Sequence, residues 1–349
     1  PLLRNRNWID GDFPRVAAQA RLPCWAPKKE SRPMADAQTI ILHHYQTSPF
    51  SEKIRLALAL KNLAWCGVDV PVIMPKPDVV SLTGGYRRTP FLQIGADIFC
   101  DTATILMELN RRYPMASLNL PGHEGLHKMV GMWADRIWFQ CSVGVIFGAL
   151  GDTVPDAFKA DREKLSGRPF DTAAMASAAP MLREQWVGHL MWIEERLRGG
   201  QGAGGGVWLV NTKPGLVDVH AHMNLWFVEQ NVPDFLTECL DAAPLTRDWY
   251  NRLKDFEGQT PTELSGGAAI EIARKAAPRL KPATVTGAAS QAFAPGDKVA
   301  VAPDDYGRDW VEGILVHADS QQTVIQRSDA RAETVHVHFP RAGYLVRAA

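Results

Sequence analysis

The chain has 349 residues, 46% of them hydrophobic, enough to bury a sizeable core and, at roughly 100–200 residues per domain, to form two or three domains. Lys plus Arg and Asp plus Glu number 38 each, so the formal charge is zero and no overall basic field drives nucleic-acid or membrane binding. Cys24, Cys66, Cys100, Cys141 and Cys239 are scattered with no CxxC, which argues against a disulfide framework and for a reducing, cytoplasmic setting. The most apolar stretch, Ile137 to Leu150, is interrupted by Gln140, Ser142 and Gly144 and is shorter than the about 20 residues a membrane span needs. The start of the chain lacks an apolar signal core. A small molecule or another protein is the expected partner.

Residues 1–33 are polar, rich in Pro and Arg and aperiodic, and Met34-Ala35-Asp36 reads as a translational start. Residues 1–36 are therefore expected to be an extension or arm. Thr39 to His44 predicts a buried strand, and Ser51 to Asn62 a helix with Ile54, Ala57, Leu58 and then Leu63 on one face. Leu63 to Ile73 predicts a second strand, parallel to the first. Pro75 to Gly85 is a loop with one helical turn, followed by a hairpin of Phe91–Ile94 and Ile98–Cys100 around Gly95-Ala96-Asp97. Asp101 to Arg112 is an amphipathic helix with Ile105, Leu106 and Leu109 inward, stopped by Pro114. This order, β-α-β-α-β-β-α, fits a thioredoxin-like layer over residues 37–116.

From residue 117 to 259 helical patterns dominate, including Leu126 to Phe139 and Met181 to Arg198, the latter ended by Gly199-Gly200. Gln201 to Gly206 is Gly-rich but lacks a following Lys-Ser/Thr, so it reads as a flexible connection, not a phosphate cradle. Residues 260–292 read as a linker with one helix at Ala268 to Ala276. Residues 293–349 hold short β-rich runs near Lys298, at Trp310–His317, at Thr323–Gln326 and at Thr334–Phe339, which suggest a small SH3-like β-barrel. The fold class is α+β: a thioredoxin-like domain, an all-α domain and a β-barrel-like appendix.

Ser48-Pro49 is a good helix start, Ser as N-cap and Pro at the first helical position. The same corner can serve chemistry, because a helix N-terminus carries roughly half a positive charge, favours an anion and lowers a thiol pKa. Asp101 is likewise a helix cap or an anionic ligand group. His220 and His222 lie on a helix, where i and i+2 point about 200° apart and do not share a metal. His336 and His338 lie on a strand without a third ligand and read as surface residues. Of His43 and His44, one ring is expected buried and one exposed.

Ser48-Pro49-Phe50-Ser51 through Arg55, Arg87-Arg88-Thr89-Pro90-Phe91-Leu92 and Asp101-Thr102-Ala103-Thr104-Ile105 together resemble the N-terminal domain of cytosolic glutathione transferases. Serine- and cysteine-type members carry a Ser/Cys-Pro-Phe or S-x-x-S-x-x-x-R pattern here, and this stretch satisfies both. The resemblance implies that Ser48 stabilises a glutathione thiolate and that Phe50 is among the glutathione-binding residues. It implies that Thr89, before a cis Pro90, pairs with the cysteinyl backbone. Asp101 and Thr102, where Glu-Ser is commoner, would receive the γ-glutamyl group, and Arg88 and Lys76 the glycyl carboxylate. Trp133, Arg136 and Ile137 lie on a helix that in the family faces the electrophile, although an aromatic stripe at helical spacing also suits a core. Tyr45 is a second choice for the activating hydroxyl. Lys213-Pro214-Gly215-Leu216-Val217-Asp218 resembles the family's capping segment, with Gly215 replacing the Ser/Thr cap. Glutathione as co-substrate, no metal, an apolar electrophilic small molecule, detoxification and a homodimer are the implied properties. A non-catalytic glutathione-binding or protein-interaction scaffold is the alternative.

Overall fold

The computed structural model describes residues 35–201, 206–210, 212–279, 284–285 and 292–349. The expected arm at 1–33 and residues 202–205 of the Gly-rich loop lie outside the described residues. The first layer comprises β1 (Ile41–His44), α1 (Pro49–Leu60), β2 (Cys66–Asp69), α2 (Pro77–Thr83), β3 (Phe91–Ile94), β4 (Asp97–Cys100) and α3 (Thr102–Arg112). β1 pairs parallel with β2 and antiparallel with β3. Alternate side chains feed two cores: Leu42, Leu92 and Phe99 face α1 and α3, while Ile41, Phe91 and Ile98 face α2 on the opposite side. Because β1 has neighbours on both edges and cores on both faces, His43 and His44 are both buried, correcting the expected split. His43 meets Gln93 Oε1 through Nε2 at 2.9 Å and stacks on Phe91; Arg55 reaches Nδ1 of His44 at 3.2 Å.

The helical layer comprises α4 (Glu124–Met132), a π-helical turn (Trp133–Trp138), α5 (Phe139–Leu150), α6 (Asp156–Ser166), α7 (Thr172–Gln201), α8 (Leu216–Asn231), α9 (Pro233–Asp241) and α10 (Pro244–Lys254). The apolar run from Ile137 is thus mostly the buried helix α5, continuous with α4, and α7 starts well before Met181 and passes through Pro180. At the π-helical turn the Phe139 N–H reaches back to Ala134 O, which also accepts from Asn224 Nδ2 at 3.0 Å. Among the described residues no helix is long and apolar enough to cross a membrane.

Beyond α10 the chain returns to the first layer. β5 (Thr262–Glu263) adds to the free edge of β2, and α11 (Gly266–Lys275) lies on the second core, where Gln93 Nε2 donates to Ala269 O at 2.8 Å. β6 (Thr284–Val285), β7 (Lys298–Pro303), β8 (Val311–Ala318), β9 (Gln322–Asp329), β10 (Glu333–Pro340) and β11 (Tyr344–Ala348) follow. These strands continue the first sheet: β10 pairs parallel with β4 (Val337 opposite Ile98), giving the order β11-β7-β8-β9-β10-β4-β3-β1-β2-β5, with β6 beside β8. Val335, Val337 and Phe339 share a core with Phe91 and Ile98. His336 and His338 are therefore buried at the seam, a correction to their surface reading, and His338 Nε2 meets Asp97 Oδ1 at 3.0 Å.

Candidate active site

The β1–α1 corner folds as its sequence dictates. Ser48 is extended (φ −78°, ψ 120°), its Oγ accepts the Ser51 N–H at 3.1 Å, and Pro49 occupies the first turn. Arg55 folds back along α1, donating to Glu52 Oε2 at 2.8 Å and to Gln46 O at 3.0 Å, which ties the 45–47 turn to the helix. Across the sheet the Thr89–Pro90 bond is cis. Asp101 caps α3 with φ 77° and ψ 141°, a conformation that costs a non-Gly residue about 1–3 kcal/mol and that concentrates at ligand sites. Its Oδ1 accepts the Ala103 N–H at 2.9 Å.

A cavity of ≈ 870 Å³ opens between this layer, the start of the helical layer and the C-terminal strands. Phe50, Arg88, Thr89 and Pro90 line it, as do Asp101, Thr102 and Arg136. Ser48 is buried and is outside the lining, as are Tyr45 and Lys76. The π-helical turn presents Asp135 and Arg136 to the cavity, whereas Trp133 stacks on Trp138 at 5.0 Å and Ile137 stays 57% exposed. Asp135 and Arg136 continue, at ordinary helical spacing, the cavity face of His127, Lys128, Gly131 and Met132, so Trp133 and Ile137 fall off that face. Lys76 is buried and donates to Thr89 Oγ1 at 3.4 Å; burial, then the Arg162 charge, lower its pKa to about 7 against the pull of Asp161.

The connection between β7 and β8 and the start of β11 close the cavity with charged and phenolic groups. Arg88 donates to Asp305 and to Tyr306 O, and its guanidinium lies 3.9 Å from the Tyr306 ring centre. Arg136 pairs with Asp304 at 2.7 Å. The Tyr344 hydroxyl donates to Asp101 Oδ2 at 3.0 Å and lies 3.3 Å from the Tyr86 hydroxyl. Burial and the Asp101 charge push the phenols of Tyr86 and Tyr344 well up, so both stay protonated.

Residues 42–118 match the family profile of the glutathione S-transferase N-terminal domain. A GST-like protein from Pseudomonas syringae is 34% identical, and the match covers 89% of this chain and 100% of that one with a TM-score of 0.72. The chain belongs to the glutathione S-transferase superfamily. The glutathione transferase GSTFuA3 from Phanerochaete chrysosporium shares the fold, with 15% identity, a TM-score of 0.50, and coverage of 64% of this chain and 99% of that one. No curated protein matches the sequence.

In this glutathione S-transferase-like chain the helical side of the cavity also holds residues that sequence reasoning missed. Lys53 has no exposed side-chain surface and is paired with Asp135, whose side chain keeps 23% exposure and lines the cavity. Lys53 lies four residues before Ala57, on the apolar face of α1, and a lysine on a buried face was the available signal. His127 and His220 line the cavity as well, with parallel rings 6.0 Å apart. His222 turns away, toward Tyr250. Among the described residues no group of three or more His, Cys, Asp or Glu is placed to hold a metal. Gly215 has no side chain to cap α8, yet half of the reciprocal box survives, since Asp218 Oδ2 accepts the Gly215 N–H at 2.9 Å. Oδ1 of Asp218 accepts from Trp249 Nε1 at 2.7 Å and from the Leu209 N–H at 3.0 Å.

Proposed function

We propose that the chain is a glutathione transferase whose thiol substrate lies along Thr89-Pro90 and the N-terminus of α3. The observation that supports this most is the convergence on one cavity of Thr89, Thr102 and the strained cap Asp101. The Asp101 carboxylate suits an α-amino group, and the Thr102 hydroxyl with the helix N–H groups suits an α-carboxylate. Ser48 Oγ already accepts the Ser51 N–H, which leaves its own O–H as a donor. Ser48 is buried and outside the cavity lining, so the β1–α1 corner has to open beside Phe50 before that O–H can meet a thiolate. Lowering a thiol pKa by two units takes about 2.7 kcal/mol, within reach of one such bond plus the α1 dipole. The sulfur then attacks an electrophilic carbon held on the apolar wall of Leu106, Met107 and Met132, and the carbon–sulfur bond forms as the bond to a leaving group such as halide breaks and the anion departs to solvent. A homodimer follows from the family, but β4, paired with β10, is not an edge on which a second copy could add a strand.

A specific observation favours the scaffold alternative: Arg88 and Asp101 already have partners in Asp305 and Tyr344 of the same chain. Glutathione-dependent turnover of a small apolar halide by the wild type and by Ser48→Ala separates the readings. Turnover that falls at least tenfold in the variant supports the transferase; none in the wild type leaves the scaffold; equal rates remove Ser48 as the activating group.

A further inference from the structure

His220 of α8 lines the same cavity as Asp101 and Thr102; the residue is buried, and its Nδ1, almost without accessible surface and close against Gly131, has no hydrogen-bond partner among the described residues. A buried polar nitrogen left without a partner is costly, and because the His220 ring lines the cavity, a group bound there is the partner within reach once the ring shifts to meet it. The neighbouring polar groups narrow the ligand's chemistry. Asp135 faces the cavity as a carboxylate, an acceptor only, and Lys53 behind it is committed to that carboxylate. His127 stands parallel to His220. Gly131 of α4 leaves room for the ring, since a Cβ there would lie 2.9 Å from His220 Cε1.

We propose that this end of the cavity is a subsite for an uncharged hydroxyl group, phenol or alcohol, carried on an apolar body, with His220 as the residue that selects it. A neutral imidazole offers one donor and one acceptor and a carboxylate only acceptors; a hydroxyl both donates and accepts, which completes such a set. Burial, the Lys53 charge and then His127 hold His220 well below its ordinary pKa, so the ring offers no positive charge to an anion. Of the charged groups on this wall, Asp135 and Glu124 oppose an anion, while the Lys128 ammonium, which donates to the neutral Gln321 Oε1, favours one. The apolar body meets Leu106, Met107 and Met132. The inference names the second substrate of the cavity assigned above and rests on that cavity being a ligand site, but it does not require glutathione.

The test is a titration of the full chain, without glutathione, with 2-naphthol, naphthalene and 2-naphthoate, followed by ligand fluorescence. 2-Naphthol is expected to bind about tenfold more tightly than naphthalene and more tightly than 2-naphthoate, and to lose that advantage in His220→Phe. Equal binding of 2-naphthol and naphthalene, tightest binding of 2-naphthoate, no binding of any probe, or an advantage that persists in His220→Phe overturns the proposal. Should His220→Phe fail to fold, nitrogen-15 spectra of the wild-type histidines decide, with His220 assigned by His220→Gln. A His220 ring shift with 2-naphthol but not naphthalene supports the subsite, and no shift overturns it. Glutathione binding measured alongside keeps the two readings apart: a failed naphthol series with intact glutathione binding removes the subsite alone.

Discussion

Asp305→Asn perturbs the contact in which the C-terminal strands and a peptide carboxylate would compete for one cation. Arg88 and Asp305 keep only 13% and 24% of their side-chain surface, so their bond is largely shielded from water. A hydrogen bond to a charged partner contributes about 1.5–3 kcal/mol, and an amide in place of the carboxylate retains the shape but not the charge. The variant should therefore lose about 2 kcal/mol of stability in urea unfolding, because Arg88 stays buried with a weaker partner. The same loss lowers the cost of displacing residue 305, and glutathione affinity measured by calorimetry should rise about tenfold, equivalent to about 1.4 kcal/mol. Stability and affinity are expected to move in opposite directions. A variant that loses stability with unchanged or weaker glutathione binding would refute the reasoning and leave Arg88 as a structural clamp.

His222, with both ring nitrogens unpartnered, is held by burial and then the Lys254 charge at a pKa of about 3, below the ordinary 6.5. An unfolded chain binds that proton first, so its stability contribution is full above pH 6.5 and falls as the pH drops toward 3. Between pH 7.5 and 5.5 the loss is about 1.4 kcal/mol, and urea unfolding of His222→Phe should lack that part of the decline; identical declines would contradict it. Asp218→Ala removes three acceptor contacts in a buried position and should cost about 3–4 kcal/mol, read as a lower urea midpoint; a loss below about 1 kcal/mol would show that the Gly215 end of α8 does not depend on it. Truncation before residue 293 bares the β4 edge and the core around Phe91 and Ile98, and is expected to abolish cooperative unfolding by circular dichroism; a truncated chain with a sharp transition would show that the first layer stands alone.

Features set by neighbours in sequence were legible. Ser48-Pro49 caps α1 as its composition requires, Asp101 caps α3, and the short hairpin from Phe91 to Cys100 follows from two short β-prone runs around the Gly95-Ala96-Asp97 turn. What stayed hidden depends on partners far along the chain. Nothing near Arg88 announces Asp305, and nothing near Asp101 announces Tyr344. The parallel pairing of β10 with β4 made interior residues of His336 and His338, whose alternation alone suited a half-exposed strand. The helical spacing that carries His127, Gly131 and Met132 along the cavity wall also carries Asp135 onto it and leaves Trp133 to stack on Trp138, which an aromatic stripe in the sequence did not reveal. His220 was visible only as half of an HxH pair, and its meaning changed once α4 brought Gly131 and His127 against it.

The most direct measurement is a calorimetric titration of glutathione into the full chain and into Asp101→Ala. The account predicts saturable binding at or below millimolar glutathione, weakened at least tenfold in the variant as the α-amino group loses its carboxylate. Absence of binding by the wild type at millimolar glutathione, or equal affinity in Asp101→Ala, would contradict it.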